Sequence, residues 1–127
     1  MATRATVFIF DVQYHRKIVQ IYHHYDGYPE GLGEELKQYL ENINTETQGL
    51  GELHKDFNGC GCFTASLIAH LKECPGNVYV EPTDVEHGDI EYEYTIYYNS
   101  PNDIKLVVEK IPYVYEAVTL FERSEKD

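Results

Sequence analysis

The apolar residues along the chain predict two strands, then two helices, then further strands. Residues 4–12 (RATVFIFDV) are apolar on both alternating faces, which is typical of a central strand. Residues 16–25 (RKIVQIYHHY) are the predicted hairpin partner, joined across residues 13–15. After a break at Gly27 and Pro29, apolar residues recur at helical spacing and predict a helix from about residue 30 to residue 43: Leu32, Leu36, Tyr39, Leu40 and Ile43.

The second half of the chain is predicted to contain an irregular segment, a helix and then several strands. Residues 44–62 are polar and glycine-dotted, and they predict an irregular segment. A second helix is predicted on Phe63, Leu67, Ile68 and Leu71, ended by the Cys-Pro-Gly sequence at 74–76. Strands are predicted at 77–81, 90–98, 103–111 and 113–121, with a turn at 99–103. The fold class is therefore α+β, one domain over 1–127, with an antiparallel sheet covered on one face by two helices. A β-hairpin and a three- to four-strand meander make up that sheet.

Alternation within residues 90–98 assigns side chains to opposite faces of a strand. One set should pack beneath the helices: Ile90, Tyr92, Tyr94 and Ile96. The other set should face solvent: Glu91, Glu93 and Thr95. The two glutamates would then lie beside acidic residues of the preceding loop: Asp84, Glu86 and Asp89.

The net charge of the chain indicates which class of macromolecule it can bind. The chain has 22 acidic and 10 basic residues, a net charge of −12. Residues 73–103 contain eight acidic residues and no lysine or arginine, and residues 18–36 are also free of basic residues. Such a surface repels phosphates, so direct nucleic-acid binding is not expected. It attracts basic protein surfaces instead, although solubility alone would also explain the acidity.

Cysteine usage and the N-terminus indicate the compartment. Three cysteines are an odd number for a disulfide framework, and the sequence MATRATVFIF lacks the pattern of a secretory signal. No apolar stretch approaches the length of a membrane span. We therefore expect a soluble, reduced, cytoplasmic protein, not associated with membranes, and leave homo-oligomerisation open.

The stretch YHHYDGYPEGLGEEL, residues 22–36, concentrates residues capable of chemistry. His23 and His24 are adjacent in a strand and should point to opposite faces. Either could pair with Asp26 or Glu30 as a base or a metal ligand. The favoured interpretation is a turn at residues 26–29, in which Asp26 bonds backbone amides and Gly27 takes a positive φ.

A second cluster of candidate ligands surrounds the second helix. Four residues could bind zinc: Cys60, Cys62, His70 and Cys74. The C-x-C spacing is tighter than in common zinc knuckles, and His70 continues an apolar stripe, which favours a core histidine and buried thiols. The glycine-rich turn at 58–62 could hold an anion, or simply allow tight packing. Cys62 could form a nucleophilic pair with a histidine elsewhere in the chain, but no surrounding sequence typical of such enzymes supports this. No catalytic residue, metal site or cofactor is predicted.

Three blocks of sequence together resemble a known family. They are TRATV at 3–7, IYHHYDGYPEGLG at 21–33 and NGCGCFTA at 58–65. The chain resembles a family of small proteins of phages, prophages and bacteria. In that family an apolar residue is usual at the position of Cys60, which weakens the zinc interpretation further. The resemblance implies a phage or prophage origin and implies no catalytic residues.

These observations favour a non-catalytic acidic binding protein. The partner would be the basic surface of a host protein, and the effect would be inhibition of a bacterial defence or nucleic-acid-binding protein, as with anti-CRISPR proteins or nucleic-acid mimics. The expected contact residues are Asp84, Glu86, Asp89, Glu91, Glu93, Tyr25, Tyr28 and Glu30. One alternative is a protein that sequesters a small ligand or nucleotide through loops 26–33 and 58–62, which lack the basic residues that a phosphate prefers. Another is a metal-dependent hydrolase using His23 or His24 with Asp26.

Overall fold

A computed structural model describes residues 3–43, 59–111 and 117–124. Two helices, α1 (Glu34–Glu41) and α2 (Gly59–Leu71), pack against a six-stranded sheet in this part of the chain. A π-helical turn, Pro29–Gly33, leads directly into α1. The strands are β1 (Ala5–Asp11), β2 (Arg16–His23), β3 (Val78–Glu81), β4 (Tyr92–Ser100), β5 (Asp103–Lys110) and β6 (Val118–Arg123). The predicted α+β class is confirmed.

The order of strands in the sheet is β3-β2-β1-β4-β5-β6. The β1–β2 hairpin is confirmed, and β4, β5 and β6 form an antiparallel meander. β1 and β4 pair in parallel, so the sheet is mixed and not purely antiparallel as predicted. β3 lies at the far edge beside β2. Because β3 and β4 are separated by β2 and β1, the chain between them has to cross the sheet.

The core lies between one face of the sheet and the two helices. Alternate residues of β1 are fully buried on this side: Ala5, Val7 and Ile9. Tyr94 and Ile96 of β4 lie beside Val7 and Ile9 and are buried on the same side, as predicted. The helices contribute Leu36, Leu40, Phe63 and Leu67. Phe63 stacks on Tyr98 of β4, with the ring centroids 4.4 Å apart. Helical and strand periodicity therefore bring their apolar faces together.

Several element boundaries differ from the predictions. The first helix begins as a π-helical turn at Pro29, and its α-helical part ends at Glu41. The strand predicted at 90–98 is Tyr92–Ser100, which leaves Ile90 outside it. Residues 59–62 belong to α2 and are not irregular, because the buried stripe of that helix already begins at Cys60. The remainder of the segment 44–62, and residues 113–116 of the last predicted strand, lie outside the described residues.

Residues 24–28 link β2 to the π-helical turn without forming helix or strand, and Asp26 and Gly27 have different roles from those predicted. Asp26, and not Gly27, has a positive φ, of 57°. The Asp26 carboxylate accepts a 3.4 Å hydrogen bond from the Tyr28 hydroxyl and, among the described residues, none from a backbone amide. Gly27 is pressed against the start of β1: its N–H donates to Thr3 O at 2.8 Å, and its carbonyl accepts from the buried Tyr94 hydroxyl at 2.7 Å.

We expect Gly27→Ala to lower the free energy of unfolding by about 1–3 kcal/mol, the usual cost of overpacking. A Cβ at Gly27 would lie 2.7 Å from the Ala5 Cβ and 2.8 Å from the Thr3 carbonyl oxygen. Urea denaturation measures the change. Gly61→Ala is the control, because a Cβ there meets nothing within 4 Å and Gly61 lies in α2. The control should gain about 0.5–1 kcal/mol, and equal losses in the two variants would contradict the packing argument.

Candidate functional site

The face of the sheet opposite the helices carries the candidate site. We call it the helix-free face; it bears the side chains that alternate with the core residues, among them Thr6, Phe8, Gln20 and Tyr22. Residues 82–91, here called the crossing segment, pass over this face between β3 and β4. Gln20 Nε2 donates to Val85 O at 3.0 Å. The His87 ring stacks on Tyr22 with centroids 4.4 Å apart and planes 18° apart.

Polar contacts fix the crossing segment at both ends. At the β3 end, the Glu81 carboxylate is 2.7 Å from His87 Nε2 and accepts a 2.7 Å hydrogen bond from Gln20 Nε2. At the β4 end, Arg4 Nε lies 3.2 Å from an Asp89 oxygen, and Glu91 N donates to Arg4 O at 2.8 Å. A segment without regular secondary structure therefore has a defined course over the sheet.

Four of the predicted acidic contact residues are exposed on or beside the crossing segment: Asp84, Glu86, Asp89 and Glu91. Asp89 is paired with Arg4, whereas within the described residues no lysine or arginine forms an ion pair with the other three. The negative charges of Asp84, Glu86 and Glu91 are therefore available to a partner. The prediction of an acidic surface at this position agrees with the exposure of these side chains.

Glu93 differs from the prediction, because it is half-buried and not in solvent. The β1–β4 register places it beside Thr6, and the β4–β5 register places it opposite Glu109, beneath the crossing segment. Burial raises the pKa of Glu93, Lys17 opposes that rise, and the Glu109 carboxylate adds to it. Ile90 was predicted to lie beneath the helices, but it precedes β4 and lies near Glu93 on the helix-free face.

We expect Glu93→Gln to raise the free energy of unfolding at pH 7. The pKa of Glu93 is higher in the folded than in the unfolded chain, so its ionised form favours unfolding once the pH exceeds the folded pKa. The gain should shrink as the pH falls below the ordinary carboxyl pKa, where the group becomes protonated in both states. Urea denaturation of both proteins at pH 7 and pH 4 measures this, and a difference independent of pH would contradict the assignment.

Two hollows flank the crossing segment. The first, here called the inner cavity, has a volume of about 420 Å³ beneath the segment; among its lining residues are Thr6, Phe8, Gln20, Ile90, Glu93 and Ile111. The second, here called the tyrosine hollow, has a volume of about 850 Å³; among its lining residues are Tyr22, His24, Tyr25, Tyr79, Glu81 and His87. His87 lines both hollows, so the two hollows are adjacent.

The tyrosine hollow is a cluster of partly exposed aromatic rings. Tyr22 lies 6.1 Å from Tyr79 between ring centroids, and its hydroxyl is 3.2 Å from His24 Nδ1. Tyr25 packs edge-on against His24 at 4.5 Å, although in a continued strand these adjacent residues would lie on opposite faces. The alternation fails because β2 ends at His23. Tyr25 is 54% exposed and Tyr79 is 49% exposed, which leaves both rings free to bury surface against a partner.

The other predicted contact residues lie elsewhere. Tyr28 and Glu30 belong to the start of the π-helical turn that packs with α1, and neither lines either hollow. Of the tyrosine-rich stretch, only Tyr22, His24 and Tyr25 reach the site. Sequence reasoning missed Thr6, Gln20, Tyr79 and His87. A signal was present for two of them, since Thr6 and Gln20 are polar residues inside otherwise apolar strands.

The two adjacent histidines point to opposite sides, as predicted. His24 lines the tyrosine hollow, whereas His23 is buried on the helix side, and this burial lowers its pKa. Nδ1 of His23 has no hydrogen-bond partner among the described residues. The same part of the chain contains no group of three or more histidine, cysteine, aspartate or glutamate side chains placed to hold a metal ion.

The cysteine-rich helix differs from the prediction of buried thiols and a core histidine. Cys60 is buried, and burial raises its pKa to about 11. Cys62 and Cys74 are exposed, and all three thiols are free. His70 is exposed as well: its Nε2 lies 3.6 Å from a Glu35 oxygen and its ring packs on Tyr39. α2 therefore turns His70 towards α1 and not into the core.

Among the helices of the described residues, none is long and apolar enough to span a membrane. No family model, curated protein sequence or solved structure shows a significant match to this chain.

Proposed function

We propose that the protein is a non-catalytic binding protein whose helix-free face docks onto a basic protein surface. The observation that carries this proposal is the crossing segment, which holds exposed carboxylates over the sheet and next to an aromatic hollow. The proposal assigns different contributions to the two parts. The carboxylates attract and orient the partner, and the tyrosines supply the buried contact.

Electrostatics support a basic partner. Asp84, Glu86 and Glu91 lie within ten residues of one another, and residues 73–103 contribute no compensating lysine or arginine. Like charges at this density repel each other and destabilise the fold slightly, and a cationic partner would relieve that repulsion. Charge complementarity of this kind raises the association rate at low salt and is screened as salt increases.

The resemblance to phage and prophage proteins suggests where such a partner would be found. A phage protein of this charge meets nucleic-acid-binding proteins of the bacterial host, whose binding channels are lined with lysine and arginine. We propose that the acidic face occupies such a channel as a nucleic-acid mimic and inhibits a defence protein. Carboxylates held over the sheet by the crossing segment would stand in for phosphate groups.

Affinity capture from bacterial lysate at low salt tests the proposal. The tagged wild-type chain is compared with Glu86→Lys/Glu91→Lys and with Glu41→Lys/Glu73→Lys, in which exposed glutamates that line neither hollow are reversed. Both double variants change the net charge equally. A specific partner should be captured by the wild type and by the Glu41/Glu73 variant, and be lost with the Glu86/Glu91 variant.

Two results would overturn the proposal. If every captured protein were lost equally with both double variants, net charge and not this face would explain the binding. If the captured proteins were retained by the Glu86/Glu91 variant, the contact surface would lie elsewhere.

A further inference from the structure

The inner cavity holds two buried polar groups without hydrogen-bond partners. Thr6 is 2% exposed and Gln20 is 1% exposed, and both line the cavity. Neither Thr6 Oγ1 nor Gln20 Oε1 has a hydrogen-bond partner among the described residues. The Gln20 amide nitrogen is already used, since it donates to Glu81 and to Val85 O. A buried acceptor left unpaired costs stability, so such groups point to a bound partner.

The lining is rich in hydrogen-bond acceptors and negative charge. Glu93 lies beside Thr6 in the β1–β4 register, and Asp84 and Glu86 stand at the crossing-segment side. No lysine or arginine is among the described residues that line the cavity. Lys17 does not line the cavity, and its Nζ lies 3.8 Å from the centroid of the Phe8 ring, although its charge acts on Glu93. Such a lining disfavours a phosphate or carboxylate and favours a group that donates several hydrogen bonds and carries positive charge.

The remaining walls are apolar. Phe8, Ile90 and Ile111 line the cavity, and they suit an aliphatic chain. A volume of about 420 Å³ is within the usual range for small-ligand sites. The cavity therefore combines an acceptor-lined interior with apolar walls, which matches a long basic side chain.

We propose that the inner cavity binds an alkylammonium group through Thr6 Oγ1, Gln20 Oε1 and the Glu93 carboxylate, with its aliphatic chain against the apolar walls. An ammonium has three N–H donors, one for each of these acceptors. Two sources share this chemistry: a lysine side chain of the protein partner and a free polyamine. The choice of lysine rests on the proposed function, whereas amine binding by the cavity does not.

NMR titration of the ¹⁵N-labelled full chain tests the inference with small probes. The probes are n-butylammonium, N-acetyl-lysine methylamide, spermidine and the uncharged n-butanol. We expect n-butylammonium to shift the amide signals of Thr6, Gln20 and Glu93, and to bind at least about tenfold more tightly than n-butanol, since a hydrogen bond to a charged group is worth over 1 kcal/mol. Equal affinities for the alcohol and the amine, or no shifts at these residues, would overturn the inference.

Two variants separate binding from folding. Thr6→Val keeps the shape and removes one acceptor, and Glu93→Gln keeps the shape and removes the charge. Each should weaken n-butylammonium binding about tenfold, while Thr6→Val melts at or above the wild-type temperature because an unpaired buried hydroxyl is gone. Thr95→Val is the control, since Thr95 lies two residues after Glu93 on β4 and outside the cavity lining. Wild-type affinity in both cavity variants would refute the assignment.

The probes also distinguish the two sources. Spermidine binding at least about a hundredfold more tightly than N-acetyl-lysine methylamide, about 2.7 kcal/mol, would assign the cavity to a free polyamine. Comparable binding of the two would assign it to a lysine of the protein partner. If the wild-type chain bound none of the amines but still captured a partner through Glu86 and Glu91, this inference would fail and the proposed function would stand.

Discussion

Glu86→Lys/Glu91→Lys should slow association with the captured partner by roughly tenfold to a hundredfold at low salt, the range of electrostatic steering. Both side chains are exposed, and within the described residues neither is paired with a lysine or arginine. Their reversal changes the field that the partner meets as it approaches, with little change inside the fold. Stopped-flow or surface-based kinetics at two salt concentrations measures the effect, which should diminish as salt rises.

Glu41→Lys/Glu73→Lys is the matched control for this first prediction. Both glutamates are exposed, and they lie at the end of α1 and just after α2, away from the crossing segment. The control alters net charge to the same extent and should leave the association rate within about threefold of wild type, because distant exposed charges are largely screened. Equal slowing in the two double variants would show that overall charge, not the acidic face, steers the encounter.

Tyr79→Ala should weaken binding to the same partner by about thirtyfold, corresponding to the loss of about 2 kcal/mol at an aromatic hot spot. The ring is 49% exposed at the rim of the tyrosine hollow, where a partner can cover its remaining surface. The effect should appear mainly as faster dissociation, because removal of a buried contact changes the bound state more than the encounter. Kinetic traces of the purified complex separate the two rates.

Tyr14→Ala provides the control for the second prediction. Tyr14 is 71% exposed, lies in the turn between β1 and β2, and does not line the tyrosine hollow. Its removal should leave both rates unchanged. A loss of affinity with Tyr14→Ala comparable to that with Tyr79→Ala would contradict the assignment of the hollow as the contact surface.

The parts of the fold that depend on neighbouring residues could be predicted from the sequence. The β1–β2 hairpin follows from two apolar segments and a short polar turn, and the two helices follow from their apolar spacing. The parallel pairing of β1 with β4 could not be predicted in this way. It joins residues almost ninety positions apart, and nothing in the local pattern of β3 tells which edge of the sheet it takes.

In the candidate site, too, the features that depend on local composition could be predicted, and those that depend on long-range contacts could not. The exposure of Asp84, Glu86, Asp89 and Glu91 agrees with the charge pattern, because surface acidity needs only local composition. The half-burial of Glu93 and the inner cavity arise only when the crossing segment passes over Thr6 and Gln20. Asp26 shows the same limit: composition predicted a positive φ at Gly27, whereas Asp26 has it and Gly27 lies closely against Ala5 and Thr3, which are distant in sequence.

Hydrogen–deuterium exchange of the complex with the captured partner tests whether the helix-free face is the binding surface. We expect binding to slow amide exchange in the crossing segment, residues 82–91, and in residues 22–25 and 78–81 around the tyrosine hollow. Amides of α1 and α2, on the opposite face of the sheet, should exchange as in the free protein. Protection confined to the helices, with unchanged exchange in the crossing segment, would contradict the assignment of the helix-free face as the binding surface.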